Sequence, residues 1–248
     1  MLIEKRASTN VIRAFFIVIS LLLSSCATTI DAPINGKTVP NQQDQVSFEQ
    51  LAKNDSDRMA DIEMREHLTS LKVLMIKLYK RNPDEYHKHD ATSVEALVNA
   101  TFTPDQTWDF EEINHSKDIA AIHLAFTPEF TGDRILALIT GLQTMLIKSH
   151  GGNSQFYATT KLEAQNIYNA ARNIEIAVWK LSNNRDANGK LFLVSNEINA
   201  KEQNLSFERE FGKMIGRTDL FAITLAEKSQ RLVTRIIQNF ATALFLPF

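Results

Sequence analysis

The sequence predicts an all-α fold, a single bundle of six to eight helices that follows a signal peptide and a flexible tether. Three observations predict it. Apolar residues recur in steps of three and four over long stretches, which is helical spacing. The 248 residues include only 8 glycines and 6 prolines, so breakers are scarce. The one strand-like run is Leu-Phe-Leu-Val at 191–194, with no second run to pair with it.

The elements follow in order. Met59, Ile62, Leu68, Leu71, Met75 and Leu78 predict a helix over 55–80. Pro83 stops it and opens the next helix, with Asn82 as N-cap. Residues 93–102 make a short helix. Another runs over 116–126, with Ser116 as N-cap, Asp118 favouring the positive helix end and Ile119, Ile122 and Phe126 on one side.

Thr131 or Asp133 starts the apolar helix RILALITGLQTMLIK, closed by His150-Gly151-Gly152. That helix is apolar nearly all round, which places it at the centre of the bundle. Lys161 to Leu181 is next, with Ile167, Ala171, Ile174, Val178 and Leu181 as its inner stripe. A dense turn at 183–189 leads into 191–194, a buried extended segment or part of a minor hairpin. Gly216 ends a helix over 205–215, and Thr218 caps a long last helix from Asp219 to about Phe245. Gly212 and Gly216, four apart, leave room for another helix. The apolar end Phe245-Leu246-Pro247-Phe248 docks on the bundle or on a partner.

The N-terminus has a different grammar. Lys5, Arg6 and Arg13 are a basic start, residues 14–23 an apolar run of ten, and Ser24 and Ser25 are small. Spanning a bilayer takes about 20 apolar residues, so this run is a secretory signal. Cys26, the chain's single cysteine, follows directly. Leu23-Ser24-Ser25-Cys26 resembles the lipobox of bacterial lipoproteins. The resemblance implies cleavage after residue 25 and a covalent lipid on Cys26. It also implies attachment to the periplasmic face of the outer membrane, since Ala27 replaces the Asp that signals inner-membrane retention. The phrases LYKRNP, NAARNIEIAVWKLSN and NLSFEREFGKMIG resemble those of uncharacterised helical lipoproteins from proteobacteria, a family that brings no activity with it.

Residues 26–46 are the lipidated cysteine and tether, polar and carrying Pro33 and Pro40; twenty flexible residues reach about 25 Å. Residues 47–248 are the periplasmic domain. Loss of residues 1–25 removes Lys5, Arg6, Arg13 and Glu4 and moves the net charge from −2 to −4. That balance makes no case for nucleic acid, and no disulfide can form within a chain with one cysteine.

No motif names a reaction. His87, His89 and Asp90 are metal-like in type, but His at i and i+2 diverge on a helix, so a solvated turn is the better account. His115, Ser116 and Asp118 have the letters of a hydrolase triad without a G-x-S-x-G elbow. Glu111 and Glu112 are adjacent and splay by about 100° on a helix, too far to flank one bond. His123 fits a half-buried, hydrogen-bonded role.

The favoured place for a binding site is the polar face of the 161–181 helix: Asn166, Asn169 and Asn173 at i, i+3 and i+7, with Arg172 and Glu175 beside them. It reads as an amide stripe for a glycan or partner, as a buried network, or as a solvated face. The expected role is non-catalytic: binding or organising an envelope protein or polymer, with no cofactor beyond the lipid. The alternatives are an anchored hydrolase or lyase of an envelope polymer, and a carrier for an apolar ligand.

Overall fold

The structure, a computed structural model, describes residues 55–104, 106–152, 162–198, 203–229 and 245–247. The signal, Cys26 and the tether lie outside the described residues. The described part is all-α: seven α-helices, one 3-10 turn and two strands of two residues each.

Helix α1 spans Asp55–Arg81, α2 Pro83–Tyr86 and α3 Val94–Thr101. Ser93 caps α3 by accepting the Ala96 N–H. A 3-10 turn at Glu111–Ile113 precedes α4, Asp118–Ala125. Helix α5 is Arg134–Ser149, α6 Ala164–Asn183 and α7 Ser206–Ser229. Between α6 and α7, Leu191 forms a lone bridge with Arg185, and β1 (Glu197–Ile198) pairs antiparallel with β2 (Gln203–Asn204). The 191–194 segment is therefore part of a minor hairpin: the Phe192 N–H donates to Asn184 O and the Asp186 N–H to Lys190 O, with Leu193 buried beneath it.

Four long helices form a closed cycle of contacts, α1 to α5 to α6 to α7 and back to α1. Helix α4 folds against α5, and α3 against α1. Fourteen of the sixteen residues of α5 are buried, which makes it the central helix. Contacts at both ends set α1 and α5 antiparallel: Tyr79 meets Asp133, and Glu63 meets His150. Helix α7 also runs antiparallel to α1, with Thr218 on His67 and Lys228 on Ser56.

Gly141 is what lets α4 lie so close to α5. A Cβ there would come within 2.6 Å of Ile122 Cγ1, 2.7 Å of its backbone N and 2.8 Å of Asp118 O. Two of those three atoms are backbone and cannot step aside.

Six expectations need correction. Helix α7 is continuous through Gly216, with no turn before Thr218. Its packed face, Phe207, Phe211, Met214, Thr218, Phe221 and Leu225, keeps helical spacing across both glycines, and burial overrides the propensity cost. Thr218 caps nothing; its hydroxyl donates to Met214 O. Among the described residues no other helix approaches Gly212 or Gly216, since a Cβ at either meets nothing within 4 Å. Residues 230–244 of the predicted last helix lie outside the described residues.

Lys117, not Ser116, is the N-cap of α4, and the Asp118 N–H is held by Thr144 Oγ1 at 2.6 Å. Asn82 stands at the N-cap of α2 but makes no cap bond. Its amide instead pairs with both backbone groups of Val194. On α1, Met59 and Ile62 are exposed, while Ala60, Glu63, Met64 and His67 face inward.

The glycines should respond with opposite signs. Gly141→Ala should lower stability by about 1–3 kcal/mol through overpacking. Gly212→Ala and Gly216→Ala, in open helix interiors, should each raise it by about 0.5–1 kcal/mol. Urea unfolding of the three variants measures both.

Candidate functional site

The predicted polar face of α6 divides into two. Asn169 and Asn173 are buried and grip the described end of the chain. Asn173 Nδ2 donates to Leu246 O at 2.9 Å, and its Oδ1 accepts the Leu246 N–H at 2.6 Å. Asn169 Nδ2 donates to Pro247 O at 2.8 Å, while its Oδ1 accepts from Gln165. One side-chain amide thus meets both polar groups of one residue's main chain. Phe245 completes the contact, its ring edge-on to His123 at 4.9 Å and its face 5.7 Å from Lys180 Nζ. Burial and nearby Lys180 hold the His123 imidazole below its usual range. Asn166, half-buried, lies one turn before this grip.

Arg172 and Glu175 turn toward α7. Arg172 Nη2 meets Asp219 at 2.6 Å and Glu175 at 3.1 Å, and its guanidinium lies over the Tyr168 ring. Burial pushes the Glu175 carboxyl up; Arg172 opposes this and Asp219 adds to it. Arg172 joins α6 to α7 with Glu175 beside it on α6, and the two asparagines hold residues 246 and 247.

The weak metal candidates do not converge. Residues 83–89 continue as helical turns, with backbone bonds from His87 to Pro83 and from His89 to Tyr86. His87 packs on Tyr86 and Asp90 is exposed. Among the described residues there is no group of three or more His, Cys, Asp or Glu that could hold a metal. His115 pairs with Asp109 on the surface, and no contact joins it to Ser116 or Asp118 in a triad. Glu111 and Glu112 are exposed on the 3-10 turn.

His89 belongs to a constellation that the sequence did not disclose. Its Nε2 lies 2.7 Å from Asp133 Oδ2, an oxygen that also accepts the Tyr79 hydroxyl. Asp133 Oδ1 accepts the N–H groups of Ile135 and Leu136. The hydrogen bond to Asp133 holds the His89 imidazole above its usual range, against a smaller effect of burial. Burial first, and then Asp133, pushes the Tyr79 phenol far up. His89, Tyr79 and Glu112 border a small pocket of about 170 Å³. Asp133 thus meets four partners: its Oδ1 caps the start of α5, and its Oδ2 ties that start to Tyr79 and His89.

A second buried network was equally hidden. Glu63 Oε1 lies 3.0 Å from His67 Nε2, and Oε2 lies 3.2 Å from His150 Nε2. His150 Nδ1 donates to Leu146 O, and its ring stacks on Phe221 at 5.7 Å. His67 Nε2 is also 3.0 Å from Thr218 Oγ1, while its Nδ1 is buried without a partner. Burial alone would raise the Glu63 carboxyl, but the hydrogen bonds and charges of His150 and His67 bring it down to about 2. Burial lowers His67, outweighing its bond to Glu63.

Acid should dismantle this network. A carboxylate whose folded value lies below its ordinary 4.5 contributes stability above pH 4.5 and loses it as pH falls toward about 2. His67, depressed below 6.5, adds loss from pH 6.5 downward, because only the unfolded chain takes up that proton readily. Glu63→Gln should cost about 3–5 kcal/mol at neutral pH and flatten the acid limb, as read from urea unfolding at a series of pH values. In histidine-resolved NMR titrations, the His89 midpoint should stand above that of His123.

No protein-family model, curated protein or solved structure matches the chain.

Proposed function

We propose that this protein is a lipid-anchored, non-enzymatic binding protein of the bacterial envelope. It would be held at the periplasmic face of the outer membrane through Cys26, with α6 receiving an extended segment of an envelope protein. The anchor rests on Leu23-Ser24-Ser25-Cys26 and the basic and apolar residues before it. No described helix is long and apolar enough to cross a membrane.

The observation that carries the binding reading is the Asn173 amide on both the N–H and the C=O of Leu246. An asparagine reading main chain accepts any extended segment of suitable shape, with side-chain choice left to the ring contact at His123. The chain's own end occupies that face and displays the geometry a partner segment would copy.

Two measurements test the two halves. Labelled fatty acid should enter the full chain and not the Cys26→Ser variant; equal labelling of both, or none in either, removes the anchor. A peptide of residues 241–248 should bind protein lacking residues 245–248. N-methylation of its Leu246 nitrogen should weaken binding at least tenfold, about 1.4 kcal/mol, and so should Asn173→Leu. Equal affinity for the methylated peptide would rule out main-chain reading.

A further inference from the structure

An open pocket of about 340 Å³ lies between α1, α5 and residues that follow α3, and none of the residues of the Asn169–Asn173 grip lines it. That volume is at the small end of the range for ligand sites, about 300–1,000 Å³. The wall from α1 is one helical stripe at i, i+3, i+4 and i+7: Arg65, Leu68, Thr69 and Lys72. Helix α5 supplies Gln143 and Ile147, one turn apart. Phe102 and Trp108 close the remaining side, their rings 5.1 Å apart and edge to face.

Packing alone explains none of three features of this pocket. Gln143 is 2 % exposed, and its Oε1 has no hydrogen-bond partner among the described residues. An unpaired buried polar group costs about 1–3 kcal/mol, and an apolar residue of similar shape would avoid that cost. Its neighbours Leu142 and Met145 show that α5 accepts such residues.

The second feature is charge. Arg65 and Lys72 border the pocket, and neither makes an ion pair among the described residues. The third is backbone strain. Trp108 has φ 54°, a left-handed conformation that a bulky residue adopts at a cost of roughly 1–3 kcal/mol. Gln106 Oε1 accepts the Trp108 N–H at 3.2 Å and supports that geometry, which sets the indole into the wall.

We propose that this pocket binds a small aromatic carboxylate. The carboxylate meets Arg65 and Lys72, where a guanidinium offers paired donors. The ring lies against Trp108, Phe102 and Ile147. Gln143 hydrogen-bonds a polar edge of the ligand, and its amide can present either its oxygen or its nitrogen. The site is independent of the anchor and of the terminal segment.

The test uses the full chain with Trp179→Phe, which leaves Trp108 as the one tryptophan of the two in the sequence. Titration with 1-naphthoate should quench Trp108 emission saturably. The neutral isostere 1-naphthamide should bind at least tenfold more weakly, and so should 1-naphthoate to Arg65→Gln/Lys72→Gln, a substitution at the rim that leaves the core untouched. Gln143→Leu should weaken binding while raising the melting temperature of the free protein. A Gln143 with a structural job would give the reverse, a lower melting temperature and unchanged affinity, and that result overturns the proposal. Absence of saturable binding at millimolar 1-naphthoate overturns it as well, as does equal affinity for acid and amide.

Discussion

The two ends of α5 are the constraint on which the rest of the structure depends. A helix leaves four N–H groups unpaired at its start and four C=O groups at its end. Most helices leave these to water, but α5 is buried along its length. Its start is closed by Asp133, whose other oxygen is tied to Tyr79 near the end of α1. Its end is closed by His150 on Leu146 O, tied in turn to Glu63 near the start of α1. Both ends are therefore clamped to one neighbouring helix.

Geometry makes the two clamps compatible. Glu63 and Tyr79 are 16 residues apart on α1, and Asp133 and His150 are 17 apart across α5. At 1.5 Å per residue both spans are about 25 Å. Apolar packing alone tolerates displacement by a turn, because leucine fills a leucine-shaped space at several positions. A carboxylate placed one turn away would be buried without a partner. Such buried pairs add little net stability over an apolar core but penalise every other register. Arg134 applies the same logic to the α4–α5 connection: its guanidinium donates to the carbonyls of Ala125, Thr127 and Phe130.

The helices were legible in the sequence, and the polar interior was not. Periodicity located α1, α3, α5 and α6 closely because each carries an uninterrupted apolar stripe, and Asp133 and Gly151 mark the ends of α5 through local chemistry. The stripe of α1 was misplaced where Glu63 and His67 occupy inward positions. A rule that ranks residues by polarity sends both outward, and their partners His150 and Thr218 are 87 and 151 residues away. Gly216 misled for the converse reason: its local signal is real, but the packed face of α7 continues through it. The polar face of α6 stands out in the sequence, but the segment that Asn173 holds lies more than seventy residues downstream. The pocket wall and the unpaired amide arise from tertiary packing and leave no mark in the order of residues.

Amides show why residue type alone does not decide a role. Asn173 and Gln143 are both nearly inaccessible to solvent. Asn173 has both of its polar atoms satisfied by the main chain of Leu246, so it is stable as it stands. Gln143 has an oxygen with no partner. Under the proposed function an occupied amide imposes competition: a partner segment would have to displace residues 246 and 247, and its affinity would be scaled down to the fraction of molecules in which they are released. An unoccupied amide imposes no such competition, and its desolvation has already been met in folding. A ligand that pairs with it recovers free energy the fold has forgone. The two faces should therefore differ in kind. Helix α6 would be a site gated by the protein's own residues 245–247, and the pocket beside α5 one that stands ready.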